Sequence, residues 1–370
     1  MKHTRRRALG LASTALCLAC ALTACGANGG QEGRNGNLGA AVSFTKPPTR
    51  LPVTTPVSKP IPTGLKVVFI NNGYPESLSY WNGFQAASNV LGWDATSVKF
   101  DPTNPASIQS SIDSAIATKP DAVVVLGLVT QQFESSIATA KAAGVPLISA
   151  ATPDPSTAGL YTILRSDVEY AYDGKMVADA IAADANSAGK TAHILQLTVP
   201  EIQVLKYEDS GLSDELPKKC TKCTVDTLPI TLANLNSGAF TQQVVSYLQG
   251  HPDIDYIAAD AGQLEDGLRA ALAQAGLNHV TTFGFQPSNV QVKELQGGQA
   301  GAWAVQPLGA DGWAIADLIA RIKVGDSTTL WNNEHLGYLL TSGNSKGVNP
   351  DDPEFPSGYQ GQFKKLWGKS

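Results

Sequence analysis

From Leu65 onward, short apolar runs alternate with longer segments in which apolar residues recur every three or four positions. Short apolar runs are typical of buried strands, and the longer periodic segments are typical of helices that pack one face on a sheet. Their alternation predicts βα units around parallel sheets. The predicted strands are 65–70, 96–100, 122–126, 146–150, 192–197, 225–230, 256–259, 280–285 and 300–305, and the predicted helices are 77–91, 105–117, 131–143, 168–185, 238–248, 262–275 and 310–322.

A repeated spacing indicates two similar lobes. Lys-Pro-Asp at 119–121 and His-Pro-Asp at 251–253 each precede a predicted strand. Each copy then continues through a helix to an Ala-Gly pair, at 143–144 and at 275–276, and the proline lies 23 residues before the alanine in both copies. Glycine is common just past a helix end because it adopts left-handed dihedral angles at little cost. The shared order of elements predicts two α/β lobes.

The first 25 residues have the organisation of an export signal. Basic residues at position 2 and at 5–7 precede an uncharged run over 8–24, which is short for a membrane span. The sequence Leu-Thr-Ala-Cys at 22–25 resembles the lipobox of bacterial lipoproteins. The resemblance implies a signal peptide at 1–24, a lipidated Cys25 and a folded part outside the cytoplasmic membrane. The alternatives are an ordinary signal peptide with a chance cysteine, or an uncleaved anchor helix.

Residues 25–64 are rich in Gly, Asn, Pro and Thr and show no apolar periodicity. Such a composition predicts a disordered tether, and its prolines favour extended conformations. The expected role of this segment is to hold the folded body away from the membrane.

The charge balance excludes one class of partner. The chain carries 27 basic and 32 acidic residues, and removal of residues 1–24 takes away four basic residues and no acidic ones, which leaves a net charge of −9. Binding to nucleic acid phosphates requires clustered Lys and Arg, so no nucleic acid partner is expected. Hydrophobic residues make up 43% of the chain, which is ample for the cores of two domains.

Cys220 and Cys223 are the two cysteines that remain beyond Cys25. A Cys-x-x-Cys pair is compatible with a metal, with redox chemistry or with a local disulfide. A zinc site needs about four ligands, and no further Cys or suitably spaced His completes one. A redox motif would normally open a helix after a strand, whereas this pair follows a predicted helix. We expect a structural disulfide in an oxidising compartment, and neither a metal nor a cofactor.

Motifs of the common enzyme classes are missing from the sequence. There is no Gly-x-Ser-x-Gly, no metal-binding His cluster and no Gly-rich phosphate loop. The histidines after the signal are scattered, at positions 193, 251, 279 and 335. Catalysis is therefore not expected.

Several segments between residues 65 and 342 match a known family in their order and spacing. They are LKVVFIN at 65–71, Tyr-Pro at 74–75, GFQAA at 83–87, KPDAVVVLG at 119–127, AKAAGVPLIS at 140–149, Ser-Asp at 166–167, HPDIDYIAAD at 251–260, VTTFGF at 280–285 and GAWAVQP at 301–307. No single motif is specific, but together they resemble the type 1 periplasmic binding proteins of the ribose-binding, sugar-transport kind. The resemblance implies two Rossmann-like lobes with parallel sheets, joined by a three-strand hinge.

The same resemblance implies a division of the chain. The three crossings between lobes are expected near 166–167, 306–307 and 329–335. The N-terminal lobe would be 65–167 plus 307–328, the C-terminal lobe 168–306 plus 336–342, and the remainder, 343–370, a C-terminal extension that packs on one of the lobes.

Ligand is expected in the cleft at the carboxyl ends of the sheet strands. Position by position, the resemblance implies ligand-binding roles for Tyr74, Glu76, Ser77, Thr130, Thr152, Lys206, Asn236, Asp260, Gln286 and Gln306. Trp81 either lines this cleft or belongs to the core, and the core is favoured.

One departure from the family pattern bears on the ligand. Ala151-Thr152 stands where sugar binders of this kind commonly carry an Asp-Arg pair that clamps hydroxyl groups through charge-assisted hydrogen bonds. An underivatised pentose or hexose held in the usual way is therefore not expected. Aromatic, lactone-like or modified carbohydrate ligands fit the inferred pocket at least as well.

The implied function is that of a monomeric, lipid-anchored solute-binding protein outside the cell membrane. It would close on a small molecule and deliver it to the permease of an ABC importer. The alternative is a receptor that presents its closed form to a membrane signalling partner. A LacI-type regulator shares the lobes but needs a DNA-reading helix-turn-helix, and this chain has a proline-rich segment in that position.

Overall fold

A computed structural model describes residues 39–332, 335–351 and 353–369. The predicted signal peptide at 1–24 and the predicted lipidation site Cys25 lie outside the described residues. Within these three ranges, no helix combines the length and the apolar character needed to cross a membrane.

The first lobe is built on a five-stranded parallel sheet with the order β2-β1-β3-β4-β5. Its strands are β1 (Lys66–Asn71), β2 (Asp94–Lys99), β3 (Ala122–Leu126), β4 (Leu147–Thr152) and β5 (Leu160–Arg165). Its helices are α1 (Pro75–Leu91), α2 (Pro105–Ala117), α3 (Glu134–Ala143) and, from much later in the chain, α10 (Leu308–Val324), which packs on α1.

The second lobe is built on a six-stranded sheet with the order β11-β10-β9-β8-β6-β7. Its strands are β6 (His193–Thr198), β7 (Thr224–Pro229), β8 (Tyr256–Ala259), β9 (Thr281–Phe285), β10 (Ala302–Val305) and β11 (Tyr338–Thr341), of which only β11 is antiparallel to its neighbour. Its helices are α4 (Ser166–Ser187), α5 (Lys206–Lys219), α6 (Leu232–Ser237), α7 (Phe240–Gly250), α8 (Leu268–Gln274) and α9 (Asn289–Gln296).

The predicted α/β fold with two similar lobes and mostly parallel sheets is confirmed. Strands β1 to β5 have the same spatial order as strands β6, β7, β8, β9 and β10. The two segments of the repeated spacing, at 119–121 and 251–253, precede β3 and β8, which hold equivalent places in the two sheets. Strand β5 was not predicted from the sequence. The chain between β4 and β5 contains no helix, so the alternation that revealed the other strands fails there.

The helices that flank the space between the lobes approach each other closely because glycines line their contacts. A β-carbon on Gly83 of α1 would collide with the carbonyl oxygen of Gly309 of α10. A β-carbon on Gly174 of α4 would collide with the carbonyl oxygen of Glu208 of α5. Larger residues at these positions would force the helices apart.

The expected disordered tether differs from the structure over residues 39–64, which we call the N-terminal strap. Its first part, a 3₁₀-helix at Gly39–Thr45, packs on α4 and β11 of the second lobe. Leu51, Val53 and Ile61 are buried. The backbone carbonyl of Thr55 accepts a hydrogen bond from Arg321 Nη2 at 2.7 Å, in the first lobe. This packing could not be predicted from the sequence, because the buried residues of the strap are irregularly spaced and show no hydrophobic periodicity.

The C-terminal extension also contacts both lobes. Early in the extension, the carbonyl oxygens of Ser345 and Val348 accept hydrogen bonds from Gln296 Nε2 of α9. Its helix α11 (Tyr359–Leu366) packs on α10 of the first lobe. The ring of Trp367 stacks on Trp313 with centroids 5.2 Å apart.

A buried carboxylate joins the extension to the first lobe. Asp317 of α10 accepts hydrogen bonds from Arg321 Nε at 2.7 Å, Trp331 Nε1 at 2.9 Å and Trp367 Nε1 at 2.8 Å. The Asp317 side chain is fully buried, and that of Arg321 is 2% exposed. We call these four residues the Asp317 network.

Cys220 and Cys223 form a disulfide between α5 and β7, with their Cα atoms 5.4 Å apart. The backbone nitrogen of Cys220 donates to the carbonyl oxygen of Leu216, and that of Cys223 donates to the carbonyl oxygen of Cys220. The pair therefore occupies a tight turn after the end of a helix, as its place in the sequence predicted.

Candidate functional site

A cavity of about 450 Å³ lies between the two lobes, and we call it the main cavity. It is lined by residues that follow strands of both sheets, including Tyr74 after β1, Gly127 after β3, Asp260 after β8 and Gln286 after β9. Carboxyl ends of parallel strands are the usual place for ligands in α/β folds. The volume lies within the range of roughly 300–1,000 Å³ that is typical of small-molecule sites.

Seven of the ten predicted ligand-binding residues line this cavity. They are Tyr74, Glu76, Ser77, Asn236, Asp260, Gln286 and Gln306. Trp81 does not line it and instead packs on Phe69 and Phe84 in the core, as favoured.

The other three predicted residues, Thr130, Thr152 and Lys206, do not line the cavity. Thr152 is still part of β4 and fully buried, and its Oγ1 donates to Asp154 Oδ2 at 3.3 Å. The backbone nitrogen of Thr130 donates to the same carboxylate oxygen at 2.7 Å. Lys206 opens α5, is exposed, and lies with its Nζ 5.0 Å from the centroid of the Tyr207 ring.

The two lobes contact each other directly across the cavity. Tyr74 Oη of the first lobe donates to Asn236 Oδ1 of the second lobe at 3.3 Å. Gln263 Nε2 of the second lobe donates to both carboxylate oxygens of Glu76, each at 2.6 Å. These bonds join residues that are 162 and 187 positions apart in the chain. The structure is therefore a closed form of the cleft.

Aromatic side chains that the sequence did not single out form much of the wall. Tyr80, Tyr170, Phe240 and Phe285 line the cavity beside Tyr74. The rings of Tyr170 and Phe285 lie 5.0 Å apart between centroids. Tyr80 follows Ser77 by three residues in α1, and Tyr170 follows Ser166, at the first lobe crossing, by four residues in α4. Helical spacing from these residues could therefore have indicated both positions.

Two lining residues adopt left-handed backbone dihedrals at equivalent places in the two lobes. Ala151, in β4, has a φ of 51°, and Gln286, directly after β9, has a φ of 47°. Such a conformation costs a non-glycine residue on the order of 1 kcal/mol and persists where surrounding contacts impose it. The backbone nitrogen of Gln286 donates to Ala304 O at 2.7 Å, and its Oε1 accepts from Gln306 N at 3.0 Å.

The charged residues among the described lining are all acidic. Glu76, Asp260 and Asp266 line the main cavity, and no Lys, Arg or His does. Burial raises the pKa of Glu76, and the neighbouring carboxylate of Asp266 raises it further, against the lowering effect of its hydrogen bonds. Burial also raises the pKa of Asp266, although this side chain lies exposed at the rim.

Behind the cavity in the second lobe lies a set of three carboxyl groups, which we call the cleft carboxyl group. Glu208, Asp209 and Asp260 each place one oxygen so that all three lie within 4.8 Å of one another. Burial raises the pKa of Glu208 to about 8, and that of Asp260 well above its ordinary value, where the charges of Glu208 and Asp209 add to the effect.

The oxygens of this group are of the type that hard cations such as Ca²⁺ prefer. Two of the three carboxyl groups, however, already accept hydrogen bonds from the protein. Gln196 Nε2 donates to Asp209 at 2.6 Å, and Val199 N donates to Asp260 at 3.0 Å. The raised pKa values indicate that retained protons reduce the charge of this group.

A further buried carboxylate ties the cavity to the crossings between the lobes. Asp173 of α4 accepts from Gln306 Nε2 at 2.8 Å, next to the second crossing, and contacts His335 Nε2 at 3.1 Å, in the third. Burial raises the pKa of Asp173, and both hydrogen bonds oppose that effect. Gln306 thereby connects the cavity wall to the hinge.

A second cavity, of about 430 Å³, adjoins the main one. The two share the lining residues Glu76, Asp266, Gln286, Gln306 and Leu308. Residues of the C-terminal extension, Pro350, Asp351 and Pro353, contribute to its wall. Asp351 is held there by Asn289 Nδ2 of α9, which donates to its Oδ1 at 2.8 Å.

Comparison with known proteins gives one family and a uniform set of structural neighbours. Residues 67–327 match the family model described as a periplasmic binding protein domain. No curated protein matches the sequence with statistical significance.

Three solved structures show the extent of the structural likeness. A sugar ABC transporter protein from Yersinia enterocolitica has a TM-score of 0.67 at 16% identity, covering 83% of this chain and 95% of its own. The Caulobacter myo-inositol binding protein, solved with myo-inositol, has a TM-score of 0.65 at 18% identity, covering 78% and 97%. An ABC transporter solute-binding protein from Agrobacterium vitis, solved with allitol, has a TM-score of 0.64 at 17% identity, covering 77% and 98%. At these identities the likeness shows a shared fold.

Proposed function

Since the chain belongs to the family of periplasmic binding protein domains, we propose that it is an extracytoplasmic solute-binding lipoprotein of an ABC importer. It captures a small sugar-like or aromatic molecule between its lobes and presents the closed form to the permease. It performs no catalysis, needs no cofactor and acts as a monomer. Cys25 carries the lipid that holds it at the membrane.

The observation that carries this proposal is the main cavity, closed by contacts from both lobes. A ligand that touches both walls interacts fully only with the closed form, so its binding shifts the population toward closure. A shift from 1:99 to 99:1 requires roughly 5.5 kcal/mol of differential binding. Hydrogen bonds to two lobes together with burial against aromatic rings are of that magnitude.

The composition of the wall supports the ligand class. Among the structural neighbours, several were solved with allitol, D-allose or myo-inositol. In this chain a few neutral polar groups, such as Ser77, Asn236 and Gln286, stand among five aromatic rings. We therefore place here a molecule with an extended apolar face and a few hydroxyl groups, such as a glycoside with an aromatic substituent.

The proposal also assigns the lobes. The N-terminal lobe is 65–167 plus 307–328, and the C-terminal lobe is 168–306 plus 336–342. The sheets and helices described above support this division, since α10 packs on α1 while β10 and β11 join the second sheet. Closure would rotate these lobes about the three crossings.

A thermal-shift screen of residues 26–370 against sugars, polyols, aromatic glycosides, aromatic acids and nucleosides tests the proposal. A ligand that binds only the native state stabilises it by about 2.7 kcal/mol at 100 times its Kd, so a hit should raise Tm clearly. Tyr170→Ala should abolish the shift, and Tyr172→Ala, on the exposed side of the same helix, is the matched control. If no compound class raises Tm, the proposal is wrong.

Uptake by intact cells tests the transport step. Deletion of the gene should abolish uptake of the hit compound, and the wild-type chain should restore it. Normal uptake in the deletion strain, together with a lost transcriptional response to the compound, would instead identify a sensory receptor.

A further inference from the structure

Two carboxylates line the junction of the two cavities. Of the five residues that line both cavities, Glu76 and Asp266 contribute carboxylates from opposite lobes, and Gln286 and Gln306 contribute side-chain amides. Carboxylates in their charged form accept hydrogen bonds and donate none. A ligand group that lies between these two carboxylates must therefore supply donors.

Gln306 adds no accessible acceptor to the junction. Its side chain is 3% exposed, and its Nε2 donates to Asp173, which fixes the orientation of the amide. Its Oε1 has no hydrogen-bond partner among the described residues and is buried away from the cavity surface. The acceptors that a ligand can reach at the junction are therefore the carboxylates of Glu76 and Asp266.

No basic side chain among the described residues neutralises the carboxylates at the junction. Neither Glu76 nor Asp266 is paired with a cation among the described residues. Their polar contacts are with neutral side chains, Gln263 for Glu76 and Ser288 and Gln291 for Asp266. The walls of the second cavity, as far as the structure describes them, add Asp351 and no basic residue. An anionic ligand would meet like charge from every side, whereas a cation would meet opposite charge.

The aromatic wall favours the same ligand chemistry. Tyr74, Tyr80, Tyr170 and Phe285 line the main cavity. Ring faces attract ammonium groups within about 6 Å, and the attraction strengthens where water is excluded. The rings and the carboxylates are independent features, and both fit a protonated amine.

We propose that the ligand carries a protonated amine, which lies at the junction of the two cavities between Glu76 and Asp266. The inference rests on the proposed function and names its ligand class: an amine-bearing sugar or aromatic amine glycoside. The N–H groups of a primary ammonium can donate to the oxygens of both carboxylates. The rest of the molecule occupies the main cavity, and the second cavity accepts a substituent beyond the amine.

Matched compounds test this by isothermal titration calorimetry on residues 26–370. The probes are glucose, glucosamine and glucuronate, and phenyl β-glucosides whose para substituent is methyl, aminomethyl or carboxylate. The aminomethyl or amino member of a series should bind at least about tenfold more tightly than its neutral counterpart, and the carboxylate member should not bind.

Two variants locate the amine. Glu76→Gln keeps the side-chain shape and should reduce the amine preference about tenfold or more, and Asp266→Asn should reduce it less because Asp266 is exposed at the rim. Glu134→Gln, on the exposed side of α3, is the control and should leave the preference unchanged. Each variant is compared with wild type by Tm without ligand, so that a folding defect is recognised.

The outcomes separate two failures. Equal affinities for amine and neutral members, or a preference that survives in both Glu76→Gln and Asp266→Asn, would overturn the inference and leave the solute-binding function standing. Absence of binding by every compound class of the thermal-shift screen, aromatic acids and nucleosides included, would overturn the proposed function, and the inference with it.

Discussion

Two of the regions in which this molecule buries carboxylates treat the charge in opposite ways. In the Asp317 network, on the outer side of the first lobe, Asp317 is paired with Arg321 and also accepts from two indole N–H groups. In the cleft carboxyl group, Glu208, Asp209 and Asp260 lie within 4.8 Å of each other with no paired cation among the described residues. The comparison teaches that burial of charge does not by itself mark a site. The protein pairs Asp317 with a cation, whereas in the cleft carboxyl group, beside the cavity, retained protons reduce the charge.

The largest expected effect comes from removing the carboxylate of the Asp317 network. Asp317→Ala would leave Arg321 buried without its partner and two indole N–H groups without an acceptor. Loss of one partner of a buried pair costs about 3–5 kcal/mol. Urea unfolding should therefore show that much loss of unfolding free energy, against Asp214→Ala on an exposed face of α5 as control. A loss below about 1 kcal/mol would mean that the network is not the stabilising feature described here.

The cleft carboxyl group should make stability depend on pH. The folded-state pKa of Glu208 is raised from 4.5 to about 8. The folded state thus retains a proton that the unfolded chain releases, and the associated stability is present below about 4.5 and lost as pH rises through about 8. Tm should fall across this window, corresponding to a loss on the order of a few kcal/mol.

Glu208→Gln tests the origin of that pH dependence. The amide cannot ionise, so the fall in Tm between pH 5 and 8 should become distinctly shallower, whereas Glu134→Gln should leave it unchanged. If the plot of Tm against pH has the same slope in Glu208→Gln and in wild type, the Glu208 carboxyl group does not have a raised pKa in the folded state. The contrast between the cleft carboxyl group and the Asp317 network would then be wrong.

A smaller effect is expected from one donor of the Asp317 network. Trp367→Phe keeps an aromatic ring against Trp313 but removes the N–H that donates to Asp317. The cost should be about 1–3 kcal/mol, that of leaving one buried polar group short of a partner. Equilibrium unfolding measures this cost. Trp81→Phe is the control, because among the described residues the indole N–H of Trp81 has no hydrogen-bond partner. An unchanged unfolding free energy in Trp367→Phe would show that this donor is dispensable.

The smallest effect is expected at Lys206, two positions before Glu208. If its ammonium compensated the cleft carboxyl group, the contrast between the two regions would disappear. In the structure it is exposed and lies over the ring of Tyr207 instead. Lys206→Ala should leave Tm and the Kd of a bound sugar within about twofold of wild type, because an exposed charge contributes little. A large loss of affinity would restore Lys206 as a ligand-binding residue.

Much of the fold was open to prediction because its signals are local. The apolar runs of β3 and β4 and the helical periods between strands lie within short windows. Strand β5 was not predicted because the chain that leads into it contains no helix. The packing of the N-terminal strap was not predicted because a segment held by contacts with both lobes buries irregularly spaced residues and has no period of its own. Family resemblance placed seven residues at the main cavity but failed for Thr152, which β4 keeps within the sheet.

The sequence by itself determined the order of elements, the repetition of a lobe and the family, because periodicity, turn residues and spacing are properties of neighbouring residues. Only the tertiary structure decided which groups meet. Tyr80 and Tyr170 converge on one cavity from different helices, Glu76 meets Gln263 across 187 residues, and Asp317 finds a cation while Asp260 finds two more carboxyl groups. The physical reason is that burial, pairing and desolvation depend on contacts between distant parts of the chain, which no local pattern records.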